Sequence, residues 1–269
     1  MEKETMDSAY SPKYPVLTLE KSLDIIDILS KDTGNGLGIS ELSRKLNDMG
    51  KSTIHRILDT LIAYGYVEKE PSRGLYRLSW KIYEIGNMVP HQRHMGNVDA
   101  EIMQNLSDKY QETVNFGVRV QNDVVILYKF ESRAVLMANM NVGGREPLHA
   151  TSLGKVLLCE MDANAIRKIH EGKQLKALTA NTITDLEKLI IELEKIKKQG
   201  YAVDNQEFCE GLSCIATPVR DCKNEIVAAL SLSGPSARMN HRKIMDAKKE
   251  LQYVSQKLAE HFGHVHLDE

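Results

Sequence analysis

No apolar run in this 269-residue chain approaches the ~20 residues that a membrane-spanning helix needs. The longest stretches, DVVILYKF and EIVAALSLSG, fall far short. The opening MEKETMDSAYSPKYP is polar and holds no signal-peptide core, so a cytoplasmic protein with no membrane partner is expected. Cysteine is scarce and one-sided: Cys159, Cys209, Cys214 and Cys222 all lie in the C-terminal half, which argues against a disulfide framework in a cytoplasmic chain. An excess of one charge is also missing, at a formal net charge of -2, but that says little against nucleic acid as a partner because the field that matters is local. With 42% hydrophobic residues the chain is neither disordered nor collagenous, and its length accommodates two domains.

The chain's organising stretch is ISELSRKLNDMGKSTIHRILDTL, Ile39 to Leu61. Ile39, Leu42 and Leu46 recur at helical spacing, and after the polar break Asn47, Asp48 and Gly50 a second stripe begins with Ile54, Ile57, Leu58 and Leu61. Two short amphipathic helices therefore flank a tight turn, with Ser40 as the expected cap of the first. The second opens on Lys51, Ser52 and Thr53, and its polar face continues through His55 and Arg56, so its exposed start is rich in hydrogen-bond donors. A helix-turn-helix asks for this: a bracing helix, then a recognition helix whose first residues reach base edges in the major groove. The following YGYVEKEPSRGLYRL reads as strand, turn, strand, with Pro71, Ser72, Arg73 and Gly74 as turn residues, which makes a wing. From Ser40 to Lys81 eight basic residues stand against five acidic ones, a local +3 where phosphates would lie. The plainer alternative is two helices of an ordinary bundle, with Arg56 paired to Asp59 on its own helix.

Before this stretch, residues 1–14 read as a loose tail, and VLTLEKSLDIIDILSK as a helix with Thr18 as its candidate cap. Residues 15–78 thus form a winged helix-turn-helix unit. SWKIYEIGNMVPHQRH, within residues 79–95, reads as a linker helix that Pro90 kinks or ends. Its Trp80 and Tyr83 need a partner, either a second subunit or the chain's own winged unit. Residues 96–269 make the second domain: a helix in DAEIMQNLSDKYQET, strands VNFGVRVQN, DVVILYKFES and AVLMANMN, and a Gly-Gly and Pro147 loop running into a helix that starts near Thr151 and Ser152. Two more helices, DANAIRKIHEG and ITDLEKLIIELEKIKKQG, precede strands CIATPVRD and EIVAALSLSG and a final helix from about Arg242 to His261. Mixed order with hairpins indicates an α+β fold on an antiparallel sheet.

From about Leu17 to His261 the chain resembles the IclR family of bacterial transcriptional regulators. The pieces that carry the likeness are VLTLEKSLDIIDILS, ISELSRKLNDMGKSTIHRILDTLIAYGYVE, YRLSWKIYEIG, HATSLGKVLL, GYAVDNQEFCEGLSCIATPVRD and AALSLSGPSAR, in that order. The resemblance implies an N-terminal winged helix-turn-helix, a linker helix and a C-terminal GAF-like effector domain that binds a small organic acid. Two departures stand out: the family usually has Pro where Gly50 stands and Gly where Ser79 stands.

Carried over residue by residue, the resemblance implies effector contacts at Ser152, Leu153, Asp204, Cys214, Ser231 and Ser233. Ser152 and the N–H groups of Leu153 and Gly154 would lie at a helix start, which attracts a carboxylate. Ser231 and Ser233 alternate along one strand, so their hydroxyls share a face. Asp204 repels an acid unless it accepts from a ligand hydroxyl, orients a donor or carries a proton. Leu153, in place of a smaller residue, would narrow the pocket. Against these roles, strand serines often bond only backbone, and a buried cysteine is often a small hydrophobe.

Two rivals use the cysteines. An enzyme would pair Cys214 as nucleophile with His149 or His170 as base, but nothing local supplies a third orienting group. A metal sensor would use Cys209, Cys214 and Cys222, whose spacings of five and eight match none of the close pairs that zinc favours. The expectation is therefore a non-enzymatic regulator, acting as a repressor, with no cofactor or metal. Its partners would be a double-stranded DNA operator, a small carboxylic acid effector and further copies of itself, as homodimer or homotetramer. Lys51, Ser52, Thr53, His55 and Arg56 would face the groove, and Arg44 and Arg73 phosphates or the minor groove.

Overall fold

A computed structural model describes residues 12–34, 36–47, 49–93, 95–96, 98–132, 141–172 and 174–262. The strand expected over AVLMANMN lies, but for Asn141, outside them, as does most of the tail. The chain divides into two compact units, residues 8–96 and 97–269.

The first unit contains α1 (Leu17–Ser30), α2 (Ile39–Lys45), α3 (Lys51–Ala63), the hairpin of β1 (Val67–Lys69) and β2 (Tyr76–Leu78), and α4 (Trp80–Gln92). Its core gathers Ile25 and Leu29 of α1, Leu42 of α2, and Ile54, Ile57 and Leu58 of α3 against Val67 and Tyr76 of the wing. Of the stripes predicted for α2 and α3, Leu42, Ile54, Ile57 and Leu58 are buried, while Ile39, Leu46 and Leu61 are half-buried at the margin of the core. Ser43 closes the turn between α2 and α3 by donating to the Met49 carbonyl at 2.8 Å. Neither expected cap forms. The first-turn helices begin at Leu17 and Ile39, capped by Val16 and Gly38 without a side-chain bond, so Thr18 and Ser40 already lie inside them. Ser79 caps α4 by accepting from the Lys81 N–H at 3.2 Å and also donates to the Gly65 carbonyl, two bonds that a glycine there would lack. Pro90 sits in the last turn of α4, which ends two residues later.

The second unit contains α5 (Ala100–Tyr110), β3 (Thr113–Val120), β4 (Asp123–Phe130), β5 (Arg145–Pro147), α6 (Ser152–Leu158), α7 (Ala163–Ile169), α8 (Leu186–Gln199), β6 (Ala202–Asn205), β7 (Leu212–Arg220), β8 (Ile226–Pro235) and α9 (His241–Phe262). Strands β5 and β6, too short to show a period, are absent from the sequence reading. Six antiparallel strands form one sheet in the order β5-β4-β3-β8-β7-β6. Strand alternation sorts side chains to two faces. Val114, Phe116, Ile215, Leu230 and Leu232 pack beneath α5 and α9, while Val124, Ile126, Ala202, Ala216 and Ala229 pack beneath α6, α7 and α8. Helix α8 buries Leu189, Ile190, Leu193 and Ile196 and turns its charges outward, until Gly200 ends it at a positive φ of 75°.

Candidate functional site

Helix α3 separates its two faces cleanly. Ile54, Ile57 and Leu58 are buried, while Lys51, Ser52, His55 and Arg56 are exposed and Thr53 is half-buried. Arg44 on α2 is exposed too, and Arg73 projects from the turn of the wing, with Nε 3.9 Å from Glu70 Oε1. At such exposure that contact is weak, so the guanidinium is available to a phosphate. Arg56 and Asp59 make no ion pair, although both are exposed on the same helix. Six of the seven residues expected to meet DNA are thus exposed and cationic or polar, on α2, α3 and the wing of one unit.

In the second unit, sheet register builds the other site. Across β6, β7, β8 and β3 one lateral row reads Asp204, Cys214, Ser233 and Thr113, and the next reads Ala202, Ala216, Ser231 and Asn115. All six residues expected to contact an effector, Ser152, Leu153, Asp204, Cys214, Ser231 and Ser233, line one cavity together with Glu146, Thr151 and Phe208. About 10 Å³ of it is open to the centre of a water molecule, room for roughly one water.

Thr151 caps α6: its Oγ1 accepts from the Gly154 N–H at 3.1 Å and donates to the Pro147 carbonyl at 3.0 Å. The Gly154 N–H is therefore already taken, contrary to its expected role as a free donor for the ligand. Gly154 has its own reason to be glycine, since a Cβ there would lie 2.3 Å from the Leu148 carbonyl oxygen. Asp204 uses Oδ1 to accept from the N–H groups of Glu207 at 2.6 Å and Phe208 at 3.3 Å. It thereby holds the turn that brings Phe208 to the cavity.

Three residues here were missed by sequence reasoning. Asn115 donates from Nδ2 toward Ser233 Oγ at 3.3 Å and Ser231 Oγ at 3.5 Å, tying the two strand serines together. Lys155 is wholly buried, with Nζ 2.5 Å from Glu207 Oε1 and 2.7 Å from the Val203 carbonyl. Glu146, on edge strand β5, reaches the same cavity as Asp204 on the opposite edge strand. Burial, and next the Asp204 charge, push the Glu146 carboxyl up to about 7. Burial also raises Asp204, to about 6, with the Glu207 charge adding to the rise while its two N–H donors and Lys155 oppose it. Only Lys155 carried a signal, as a cation in the apolar stretch LGKVLL.

Cys214 is buried, and burial followed by the Asp204 charge raises its thiol well above the usual range. A nucleophilic cysteine requires the opposite shift. All four cysteines are free.

Both halves of the chain match one family's models: residues 18–71 the IclR helix-turn-helix domain, and residues 88–260 the bacterial transcriptional regulator IclR C-terminal domain. The chain belongs to the IclR family. It is a helix-turn-helix transcriptional regulator, not an enzyme. It is 36% identical over 233 residues to the regulator KdgR of Escherichia coli K12, covering 85% of this chain and 86% of that one. To the transcriptional repressor AllR of the same strain it is 32% identical over 221 residues, covering 82% and 81%. The crystal structure of an IclR homologue from Microbacterium hydrocarbonoxydans, complexed with 4-hydroxybenzoate, superposes with a TM-score of 0.79 at 20% identity, over 91% of this chain and 98% of that one. No helix among the described residues is long and apolar enough to cross a membrane.

Proposed function

We propose that the protein is an operator-binding repressor whose affinity for DNA is set by a small carboxylic acid held in the cavity of its C-terminal domain. The observation that carries the reading is the convergence of Ser152, Leu153, Asp204, Cys214, Ser231 and Ser233 on a single cavity, from three strands and a helix start. The name of AllR as a repressor and the 4-hydroxybenzoate bound to a homologue support repression and an acid ligand. Lys51, Ser52, Thr53, His55 and Arg56 read bases, while Arg44 and Arg73 hold phosphates or the minor groove.

The regulator acts as a homodimer or a pair of dimers. Trp80, 77% exposed, and Tyr83 stand on α4 with Ile85 and Met88, and Leu17, Leu19 and Leu23 are exposed on α1. Neither aromatic is covered by the unit that carries it, which favours a second copy as the partner. Palindromic half-sites then match the two-fold symmetry of the dimer.

Selection of bound duplexes from a random pool by the purified protein, at two salt concentrations and with small carboxylic acids present or absent, tests this. A palindrome, with affinity falling steeply as salt rises and with one acid changing the yield, is the expected result. Enrichment of no sequence under any condition contradicts it.

A further inference from the structure

Six expected ligand contacts leave Glu146 unaccounted for. It is a buried carboxyl on edge strand β5, its register partner on β4 is the buried Val124, and its Oε2 has no hydrogen-bond partner among the described residues. A buried polar atom so placed needs an explanation, and this one belongs to a residue that lines the cavity.

The groups around it narrow the choice. Facing it across the cavity are Asp204 of β6 and the Cys214 thiol of β7, with the hydroxyls of Ser152 on α6 and of Ser231 and Ser233 on β8. The nearby Lys155 ammonium is spent on Glu207 and the Val203 carbonyl. Arg145, next to Glu146 in the chain, pairs outward with Asp123 at 2.9 Å, and His149 Nε2 lies 3.0 Å from the Lys176 carbonyl. Among the described residues, neither Lys nor Arg lines the cavity. Two carboxylates facing one another in a buried place resist ionising together, so one of them retains a proton. Asp204 already accepts two N–H donors, which favours its charged form, and this leaves the proton to Glu146.

Resting on the effector reading above, we propose that Glu146 is a ligand-binding residue that enters the complex as a neutral carboxylic acid. Its O–H donates to the carboxylate of the effector, so that each acid anion is bound together with one proton. The hydroxyls of Ser231 and Ser233 serve the remaining oxygens. The proton stays on Glu146 or is shared along the O–H···O line, and no bond is made or broken. Where free Glu146 already carries its proton none is taken up on binding, and where it is ionised the proton comes from solvent. The device selects monoanionic carboxylic acids over their neutral amides and esters, because only the anion accepts in the charge-assisted geometry.

Calorimetric titration with pyruvate and 4-hydroxybenzoate, and with methyl pyruvate and 4-hydroxybenzamide as neutral counterparts, tests the proposal. Each is run in two buffers of different ionisation enthalpy, from about pH 6 to about pH 8, on the full-length protein and on Glu146→Gln. The expected result is uptake of nearly one proton per acid bound at the upper pH and little at the lower, with affinity falling about tenfold across the range. Glu146→Gln, which keeps a neutral group in place, should bind the acid with most of the proton uptake at the upper pH and most of the pH dependence lost, Asp204 being the carboxyl that still titrates there. Acid binding without proton uptake in the unaltered protein overturns the proposal and leaves the effector reading intact. Binding of a neutral counterpart that tightens as pH rises also overturns it, by making ionised Glu146 an acceptor. If neither acid nor counterpart binds at about pH 6, or if Ser231→Ala combined with Ser233→Ala leaves binding unchanged, the effector reading itself fails and the proposal with it.

Discussion

Lys155 Nζ lies 2.5 Å from Glu207 Oε1, and the lysine is entirely out of contact with solvent. The pair joins α6 to the turn after β6, and Asp204 holds that same turn from the other side through the Glu207 and Phe208 N–H groups. A buried ion pair is costly to break one side at a time, because the remaining charge has nowhere to go. Lys155→Met should therefore destabilise the protein by about 3–5 kcal/mol in chemical denaturation. Lys155→Met with Glu207→Leu should recover most of that loss.

Glu146 and Asp204 make stability depend on pH in a direction opposite to most carboxylates. Their folded values, about 7 and about 6, lie above their ordinary ones, so the folded chain holds protons that the unfolded chain has lost. Their unfavourable contribution is absent at pH values below the ordinary carboxylate range. It grows as pH rises from about 4 for Asp204 and about 4.5 for Glu146 and is complete above about 7. Thermal melts without ligand should show stability falling across that window, and Glu146→Gln should flatten much of the fall, raising stability at pH 8 by roughly 1–3 kcal/mol.

Gly50, at the start of α3, has a φ of -55° and no atom within 4 Å of where a Cβ would stand. That angle is the one proline fixes, and its Pro substitution costs no observed backbone bond. Gly50→Pro should stabilise the winged unit by roughly 0.4–1 kcal/mol, as read from the denaturation midpoint, while leaving operator affinity unchanged.

Trp80 and Tyr83 form an edge-to-face pair, with ring centroids 6.4 Å apart, on the open side of α4. Such rings are the usual anchors of an interface. Replacing both with alanine should weaken self-association about a hundredfold or more in sedimentation velocity, with an unchanged melting temperature for the C-terminal domain.

Helical periodicity made the first unit readable. Leu42, Ile54, Ile57 and Leu58 repeat at a spacing that leaves one packing solution, and Lys51, Ser52, His55 and Arg56 fall opposite them by geometry alone. The caps were not readable, because Val16 and Gly38 precede helices that start without a side-chain bond. In the second unit the period-2 pattern of Ser231 and Ser233 indicated one face of β8, and the family resemblance supplied the other contacts. Asn115 and Glu146 escaped because their relation to those serines and to Asp204 exists only through strand pairing: Asn115 comes to Ser231 by β3-β8 register, and Glu146 meets Asp204 from the opposite edge of the sheet. A three-residue strand such as β5 carries no period from which its buried face could be told.

The central claim is that occupancy of the cavity controls the winged helices. Its most direct test is the affinity of the selected operator for the unaltered protein, Arg56→Ala and Ser231→Ala, each titrated with the effective acid. Arg56→Ala should lose operator affinity about tenfold or more at every acid concentration while still binding the acid. Ser231→Ala should keep the operator affinity of the unaltered protein but require roughly tenfold more acid to change it. An operator response to acid that is identical in Ser231→Ala and the unaltered protein would contradict the account.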